Sequence, residues 1–208
     1  MAVNLAEALR LMLVTDDRVL AGRDPIEACR AAVRGGVTMV QLRLKESNAR
    51  ELAALARALC QAVDVPVIIN DRADVALAAG AAGVHLGPDD LAPALVRRLA
   101  PAGFVIGASV GSDVEIPRGS DADYWGIGPW RSTGTKADAG AALGAQRLGE
   151  LVKVAGARPA VAIGGVRPDD VPVLLKAGVT GVAVVSGILG ASDIESAARA
   201  YAQALACG

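Results

Sequence analysis

The chain alternates short runs of β-branched and aliphatic residues with longer Ala- and Leu-rich segments of helical period. The short runs are almost continuously apolar, as is typical of parallel strands buried on both faces. They predict eight strands, at residues 11–15, 38–44, 65–70, 83–86, 105–110, 124–128, 160–164 and 181–186. The intervening segments predict helices at residues 25–34, 49–63, 73–79, 91–99, 146–154, 169–176 and 194–206.

Eight strands with a helix after seven of them predict a compact (β/α)8 TIM barrel, a single α/β domain over residues 1–208. The exception follows the fifth strand, where the polar segment 111–120 contains Pro117 and predicts a degenerate helix or a loop. The alternative is an open doubly wound sheet. That fold favours a G-x-G-x-x-G turn after the first strand, and the sequence VTDDRVLAG does not supply it.

Charge and composition exclude several classes of partner. With 21 basic and 22 acidic side chains the net charge is −1, and the aromatic residues are one Phe, two Tyr and two Trp, so a nucleic-acid partner is not expected. The longest uncharged apolar stretch, 177–191, is shorter than the roughly 18 residues of a membrane span, and no membrane partner is expected. Three cysteines and one histidine without metal-ligand spacing argue against zinc or a disulfide framework. A cytoplasmic protein, with homo-oligomerisation left open, is the expectation.

In a (β/α)8 barrel the functional residues collect at the carboxyl ends of the strands. Gln41, Arg43 and Lys45 alternate with leucines at the end of the second strand, so they are predicted to share one face. Two cations and an amide on one face favour a multiply charged anion. The alternative is an exposed strand end with solvated charges.

Acidic residues follow the third and fourth strands, which are expected to be neighbours. Asp71 follows the third strand, and Asp89 and Asp90 follow the fourth. Two carboxylates beside a bound diphosphate suit Mg²⁺, which takes one or two carboxylates together with phosphate oxygens and water. Each Asp could instead cap a helix, and Asp89 resembles the first acid of the next helix.

The remaining strand ends predict phosphate contacts. Hydroxyls, a glycine and two cations in the loop 129–136 favour a phosphate-contacting lid. Gly164-Gly165 and Ser186-Gly187 end the seventh and eighth strands, where barrels often bind phosphate with backbone N–H groups. A pure turn role for these glycines is the alternative. His85 is read as a hydrogen-bonded barrel histidine and not as a general base.

Seven blocks of the sequence, LMLVTD, TMVQLRLK, VIINDRADVALAAGAAGVHLGPDDL, VIGAS, ADYWGIGPWRSTGTK, VAIGG and GVAVVSGI, resemble the thiamine phosphate synthase family in order and over nearly the whole chain. The resemblance implies a barrel enzyme that joins a hydroxymethylpyrimidine diphosphate to a thiazole phosphate. The products are thiamine monophosphate and diphosphate, and Mg²⁺ is the implied cofactor.

The resemblance also implies roles for particular residues. The pyrimidine diphosphate is expected to contact Gln41, Arg43, Lys45, Asn70, Ser109 and Lys136. The Mg²⁺ ligands are expected to be Asp71 and Asp90. The thiazole phosphate is expected to contact Thr133, Gly134, Thr135, Gly165, Val185 and Ser186. The catalytic residues implied are Arg43, Lys45, Lys136 and Ser109, which would stabilise the departing diphosphate while the pyrimidine forms a carbocation.

The chain departs from the family pattern at Pro88, at Arg131-Ser132 and after Ser109, and Arg131 is expected to add a cation near the phosphates.

Two alternative functions use the same barrel. A thiazole tautomerase needs no diphosphate or Mg²⁺ site, and a non-catalytic sensor would only bind phosphorylated ligands. The acids Asp71 and Asp90 and the cations Arg43, Lys45 and Lys136 favour the synthase, because a tautomerase has no departing diphosphate to neutralise.

The substitution Asp71→Ala tests the metal assignment. It removes one of the two carboxylates expected to bind Mg²⁺, so Mg²⁺-dependent activity should be lost while the fold is retained. Product formation at varied Mg²⁺ and a circular dichroism spectrum measure the two properties. Full activity in this variant would contradict the assignment.

Overall fold

The computed structural model describes residues 4–132 and 141–207. Within these ranges eight parallel strands close into one barrel in chain order, and the first pairs with the last. The strands are β1 (Leu11–Val14), β2 (Met39–Leu42), β3 (Val67–Asn70), β4 (Gly83–Leu86), β5 (Val105–Val110), β6 (Tyr124–Ile127), β7 (Ala160–Ile163) and β8 (Gly181–Val184). The predicted (β/α)8 barrel is confirmed. Several predicted strands were too long by one to three residues. Most of the excess is at their last residues, which leave the hydrogen-bonded ladder and form the rim, whereas the third strand begins two residues later than predicted.

Helices surround this barrel. Those described are α1 (Leu5–Ala8), α2 (Asp17–Leu20), α3 (Pro25–Arg34), α4 (Ala49–Ala62), α5 (Ala73–Ala79), α6 (Pro93–Arg97), α7 (Ile116–Gly119), α8 (Gly144–Ala155), α9 (Val171–Lys176), α10 (Ser186–Leu189) and α11 (Ile194–Cys207). Local sequence explains the two clearest starts. The Asp24 side chain caps α3 ahead of Pro25, and Asn48 and Glu51 form a capping box at α4. No helix among the described residues is long and apolar enough to cross a membrane.

The connection after β5 is a short helix, as its sequence predicts. A 3₁₀ turn, Asp113–Glu115, leads directly into the four residues of α7. Pro117 lies in the first turn of α7, where its missing N–H leaves no intrahelical bond unmade. The fifth outer helix is therefore reduced to one turn, and this brings residues of α7 close to the rim.

The inside of the barrel is a separate apolar cluster from the layer between strands and helices. Its buried members come from seven strands and from the segment that ends α1: Ala8, Leu9, Met12, Val14, Met39, Ile68, Val105, Tyr124, Val161 and Ala183. Because Ala8 and Leu9 lie among the first residues of the strands, α1 closes the amino-terminal end of the barrel. The other end stays open.

Tyr124 is the one large ring in this interior cluster of described residues, and Gly107 makes room for it. His85, Gly107 and Tyr124 are register partners across β4, β5 and β6, so they lie in one row. A Cβ atom added at Gly107 would lie 2.2 Å from Cζ of Tyr124. Since the ring is fully buried, it has no free space to move into. The tyrosine thus lies across the position where a side chain of residue 107 would stand.

We expect Gly107→Ala to lower the free energy of unfolding by about 1–3 kcal/mol, because the added methyl group overpacks the barrel interior. Gly149→Ala is the matched control. Gly149 lies inside α8 with open space around its Cβ position, so the same change there should stabilise the protein by about 0.5–1 kcal/mol through helix propensity. Urea unfolding of both variants measures the difference. Equal stabilities would contradict the packing argument.

Candidate active site

A cavity of about 660 Å³ opens at the carboxyl ends of the strands, and every strand or the loop after it contributes to its wall. Ten of the residues predicted from sequence line it: Gln41, Arg43, Lys45, Asn70, Asp71, Asp90, Ser109, Gly165, Val185 and Ser186. Thr133, Gly134, Thr135 and Lys136 lie outside the described residues. The cavity has the size of a small-ligand site. The rim therefore brings together the predicted site residues that the structure describes.

Gln41 supplies an amide that needs a partner. It is the last inward-facing residue of β2 and is 3% exposed. Within the described part of the chain its Nε2 atom has no hydrogen-bond partner. Buried polar groups are nearly always hydrogen-bonded, so an amide left open on a cavity wall indicates a bound ligand as its partner.

The cations after β2 are held by the loop after β1. Asp16 forms a 2.5 Å salt bridge with Arg43, whose side chain is only 13% exposed. The Thr15 hydroxyl accepts a hydrogen bond from the Arg43 backbone N–H, and the Asp17 carboxylate accepts one from that of Lys45. Arg43 is therefore not a solvated charge at an exposed strand end. Sequence reasoning missed this role of 15–17, although two adjacent acids after a strand are a usable signal.

Asp71 and Asp90 both line the cavity at the rim, and the Asp90 carboxylate acts on that of Asp71. Burial and, after it, the neighbouring Asp90 raise the pKa of Asp71 to about 6, against the opposing charges of Lys45 and Arg43. Two carboxylates in contact require a proton or a cation between them. Beside the cations of β2, this pair fits Mg²⁺ with substrate phosphate oxygens completing the shell.

Neither carboxylate caps a helix, as the alternative interpretation required. Arg72 precedes α5 without a side-chain cap, and Ala92 precedes α6. Asp89 is exposed in the loop, so its interpretation as the first acid of α6 is wrong.

Asp71 has a left-handed φ of 63°, which is uncommon for a residue other than glycine. Among the described residues no group of three or more His, Cys, Asp and Glu side chains could hold a metal.

Arg118, on the one-turn helix α7, holds the loop that presents Asp90. Its Nη2 atom donates to the backbone carbonyls of Gly87 and Leu91, each at 2.9 Å, and to that of Asp90. The Asp90 carboxylate in turn accepts a 2.6 Å bond from the Gly87 N–H. No sequence pattern predicts this contact, because Arg118 lies 28 residues after Asp90, in a segment predicted only to be a degenerate helix or a loop.

His85 lies between a buried phenol and a predicted substrate contact. Its Nδ1 atom is 2.9 Å from the Tyr124 hydroxyl and its Nε2 atom is 3.0 Å from the Ser109 hydroxyl. The prediction of a hydrogen-bonded barrel histidine is confirmed. The ring also borders the cavity, so Ser109 is oriented by the barrel interior.

The opposite side of the cavity is built from backbone. Gly164 and Gly165 have φ values of 96° and 66°, a conformation that favours glycine and exposes the chain to a ligand. Arg131 does not add its charge to the cavity wall as expected, since its guanidinium forms a 2.5 Å salt bridge with Asp170, which is itself buried.

A closed parallel barrel whose carboxyl-end rim carries cations, a carboxylate pair and glycine loops defines a class of enzyme that binds small phosphorylated substrates. Within that class the chain belongs to the thiamine monophosphate synthase family, whose model matches residues 11–188. It is accordingly an enzyme, a transferase of the thiamine phosphate synthase type.

Relatives and a solved structure agree with this family. The chain is 48% identical over 202 residues to a thiamine-phosphate synthase of Xanthobacter autotrophicus, with 95% of each chain covered. It is 47% identical over 196 residues to one from Azorhizobium caulinodans, with 92% of each chain covered. The structure of a thiamine phosphate pyrophosphorylase from Pyrococcus furiosus superposes with a TM-score of 0.86 at 35% identity, covering 98% of both chains.

We expect Arg118→Ala to raise the Mg²⁺ concentration needed for half-maximal activity about tenfold, because groups that orient metal ligands typically contribute 10- to 100-fold to metal affinity. Titration of Mn²⁺ by electron paramagnetic resonance checks binding without turnover. Arg147→Ala is the matched control, since Arg147 binds Asp113 and Glu150 on the outer surface. Equal Mg²⁺ dependence in the two variants would show that Arg118 does not support the loop that presents Asp90.

Proposed function

We propose that the protein condenses 4-amino-2-methyl-5-(diphosphooxymethyl)pyrimidine with 4-methyl-5-(2-phosphoethyl)thiazole to give thiamine monophosphate and diphosphate. With the carboxylated form of the thiazole, CO2 is released as well. The observation that carries the proposal is the shared cavity. Cations and paired carboxylates stand on one side of it and exposed glycine backbone on the other. A diphosphate and a monophosphate can therefore bind in one space with their reacting ends facing each other.

The pyrimidine diphosphate is assigned to the side formed by β2 to β5. Gln41, Asn70 and Ser109 offer hydrogen bonds to its ring, and the unpartnered amide of Gln41 supports this assignment. Arg43 and Lys45 place positive charge beside the diphosphate, and Lys136 remains predicted for the same role. Pairing with Asp16 fixes the Arg43 guanidinium before substrate binds. The side chain therefore loses less conformational entropy when the substrate binds.

Asp71 and Asp90 would hold one Mg²⁺. When bound, the metal supplies positive charge at the diphosphate oxygens and so stabilises the leaving group. The raised pKa of Asp71 supports this assignment, because burial and the neighbouring Asp90 both disfavour a free carboxylate there, and a bound cation offsets both.

The chemistry breaks the bond between the pyrimidine methylene carbon and the diphosphate oxygen. The electron pair leaves with the diphosphate, and the amino-substituted ring supports the resulting carbocation. The thiazole nitrogen then donates its lone pair to that carbon, so no proton is moved. Fixed positive charge at Arg43 and Lys45 stabilises the charge that develops on the leaving group, and such stabilisation is commonly the largest catalytic contribution.

The thiazole phosphate is assigned to Gly165, Val185 and Ser186 at the ends of β7 and β8. Each lines the cavity, and the left-handed Gly165 lets backbone approach a phosphate closely. Thr133, Gly134 and Thr135 stay predicted contacts of the same phosphate. A cytoplasmic location and a homo-oligomeric state also stay predictions.

The alternatives are a thiazole tautomerase and a phosphate-binding sensor. A tautomerase has no diphosphate to neutralise, so it gives no reason for the buried Arg43–Asp16 pair beside two carboxylates. A sensor needs affinity but no leaving-group stabilisation. The cation and carboxylate side of the cavity therefore favours the synthase.

One incubation separates the three functions. With both phosphorylated substrates and Mg²⁺, we expect thiamine monophosphate and diphosphate in equal amounts, measured by chromatography. Thiazole isomerisation without condensation would favour the tautomerase, and binding with neither reaction would favour the sensor. Asp90→Ala should abolish Mg²⁺-dependent product formation, whereas Asp121→Ala, at an exposed position outside the cavity, should retain it.

A further inference from the structure

We propose that Tyr124 and His85 act as positioning residues that commit the Ser109 hydroxyl to donating a hydrogen bond into the cavity, where it selects a ring nitrogen acceptor of the pyrimidine. The identity of this substrate rests on the proposed function. The direction of the hydrogen bonds rests on the structure of the barrel interior.

The three side chains form a continuous chain of hydrogen bonds from the barrel interior to the cavity. Tyr124 Oη lies 2.9 Å from His85 Nδ1, and His85 Nε2 lies 3.0 Å from Ser109 Oγ. Ser109 and His85 both line the cavity, whereas Tyr124 is completely buried beneath them. The phenol therefore contacts the cavity through the imidazole.

Two glycines make this arrangement possible. A Cβ at Gly107 would overlap the Tyr124 ring at 2.2 Å, and a Cβ at Gly126 would lie 3.0 Å from Cε1 of His85. Gly126 is the register partner of Ser109, just as Gly107 is the register partner of Tyr124. Side chains at these two positions would separate the phenol from the imidazole and the imidazole from the serine.

The direction of these hydrogen bonds, that is, which group donates in each, follows from the surroundings of the Tyr124 phenol. Burial raises the pKa of Tyr124 far above its usual value, so its hydroxyl keeps the proton. Its neighbours in the interior cluster are apolar side chains of the other strands. Within residues 4–132 and 141–207 the Tyr124 hydroxyl has one hydrogen-bond partner, His85. A buried donor without an acceptor is costly, so the phenol donates to Nδ1.

The remaining bonds follow in order. With Nδ1 accepting, the imidazole proton is on Nε2 and is donated to the Ser109 oxygen. Ser109 then keeps its own proton for a third group, and its position on the cavity wall directs that proton to the ligand. In the reverse arrangement Ser109 would donate to His85 and offer the ligand only lone pairs. The orientation thus distinguishes an acceptor nitrogen from an N–H or C–H at the same position.

The chain contains one histidine, so ¹⁵N NMR of the imidazole reports this site alone. In the ligand-free protein at pH 7 we expect protonated Nε2 and unprotonated Nδ1. The opposite tautomer, or an imidazolium with both nitrogens protonated, would overturn the proposal. This measurement needs no turnover, so it is independent of whether the proposed reaction is correct.

A double-mutant cycle tests the consequence for the substrate. Tyr124→Phe removes the hydroxyl but keeps the ring, and we expect kcat/KM for the pyrimidine diphosphate to fall about tenfold, the typical effect of one hydrogen bond. In a Ser109→Ala background the same change should cost less than about twofold, while KM for the thiazole phosphate stays unchanged in both. Equal losses in the two backgrounds, or equal losses for both substrates, would show that Tyr124 only stabilises the barrel.

Discussion

The limited volume inside an eight-stranded barrel governs both the packing and the site of this protein. The interior is filled by side chains and is not a pore, so each large residue excludes others from its layer. Tyr124 occupies the space above Gly107, and His85 occupies the space beside Gly126. The side chains below are apolar and buried, and the layer that contains His85 and Ser109 borders the cavity. The boundary between core and active site is therefore set by where the glycines stand.

Charge at the rim depends on contacts between neighbouring loops. The loop after β1 places Asp16 on Arg43, and helix α7 places Arg118 on the loop that carries Asp90. Each functional group is held by a residue from another β/α unit, so the site is assembled only when the barrel closes. The near-zero net charge of the chain conceals this arrangement, because opposite charges are concentrated at one end of the same cavity.

The strand order and the placement of most site residues could be predicted because they follow from local pattern. Apolar runs located the strands, and the parallel order then placed Gln41, Asp71 and Gly165 at one rim, whereas Ser109 was assigned to the site from the family resemblance. Side-chain contacts between distant segments could not be predicted. Arg131 was expected at the phosphates because of its position in the chain, but Asp170, 39 residues later, binds it. Arg118 was overlooked for the same reason, since its partners are distant backbone carbonyls that carry no signal in the sequence.

Among the described residues no side chain is placed as an obvious general base, which agrees with what the proposed reaction requires. When a bond to diphosphate breaks and a neutral nitrogen replaces it, charge must be stabilised and the acceptor carbon must be held, but no proton has to be removed. The single histidine of the chain is surrounded accordingly, with a phenol on one ring nitrogen and a serine on the other. A histidine used as a base needs one nitrogen open to substrate, whereas both nitrogens of His85 are engaged within the protein. In the proposed reaction His85 therefore orients Ser109, and the cations after β2 and the carboxylate pair stabilise the charge that develops on the diphosphate.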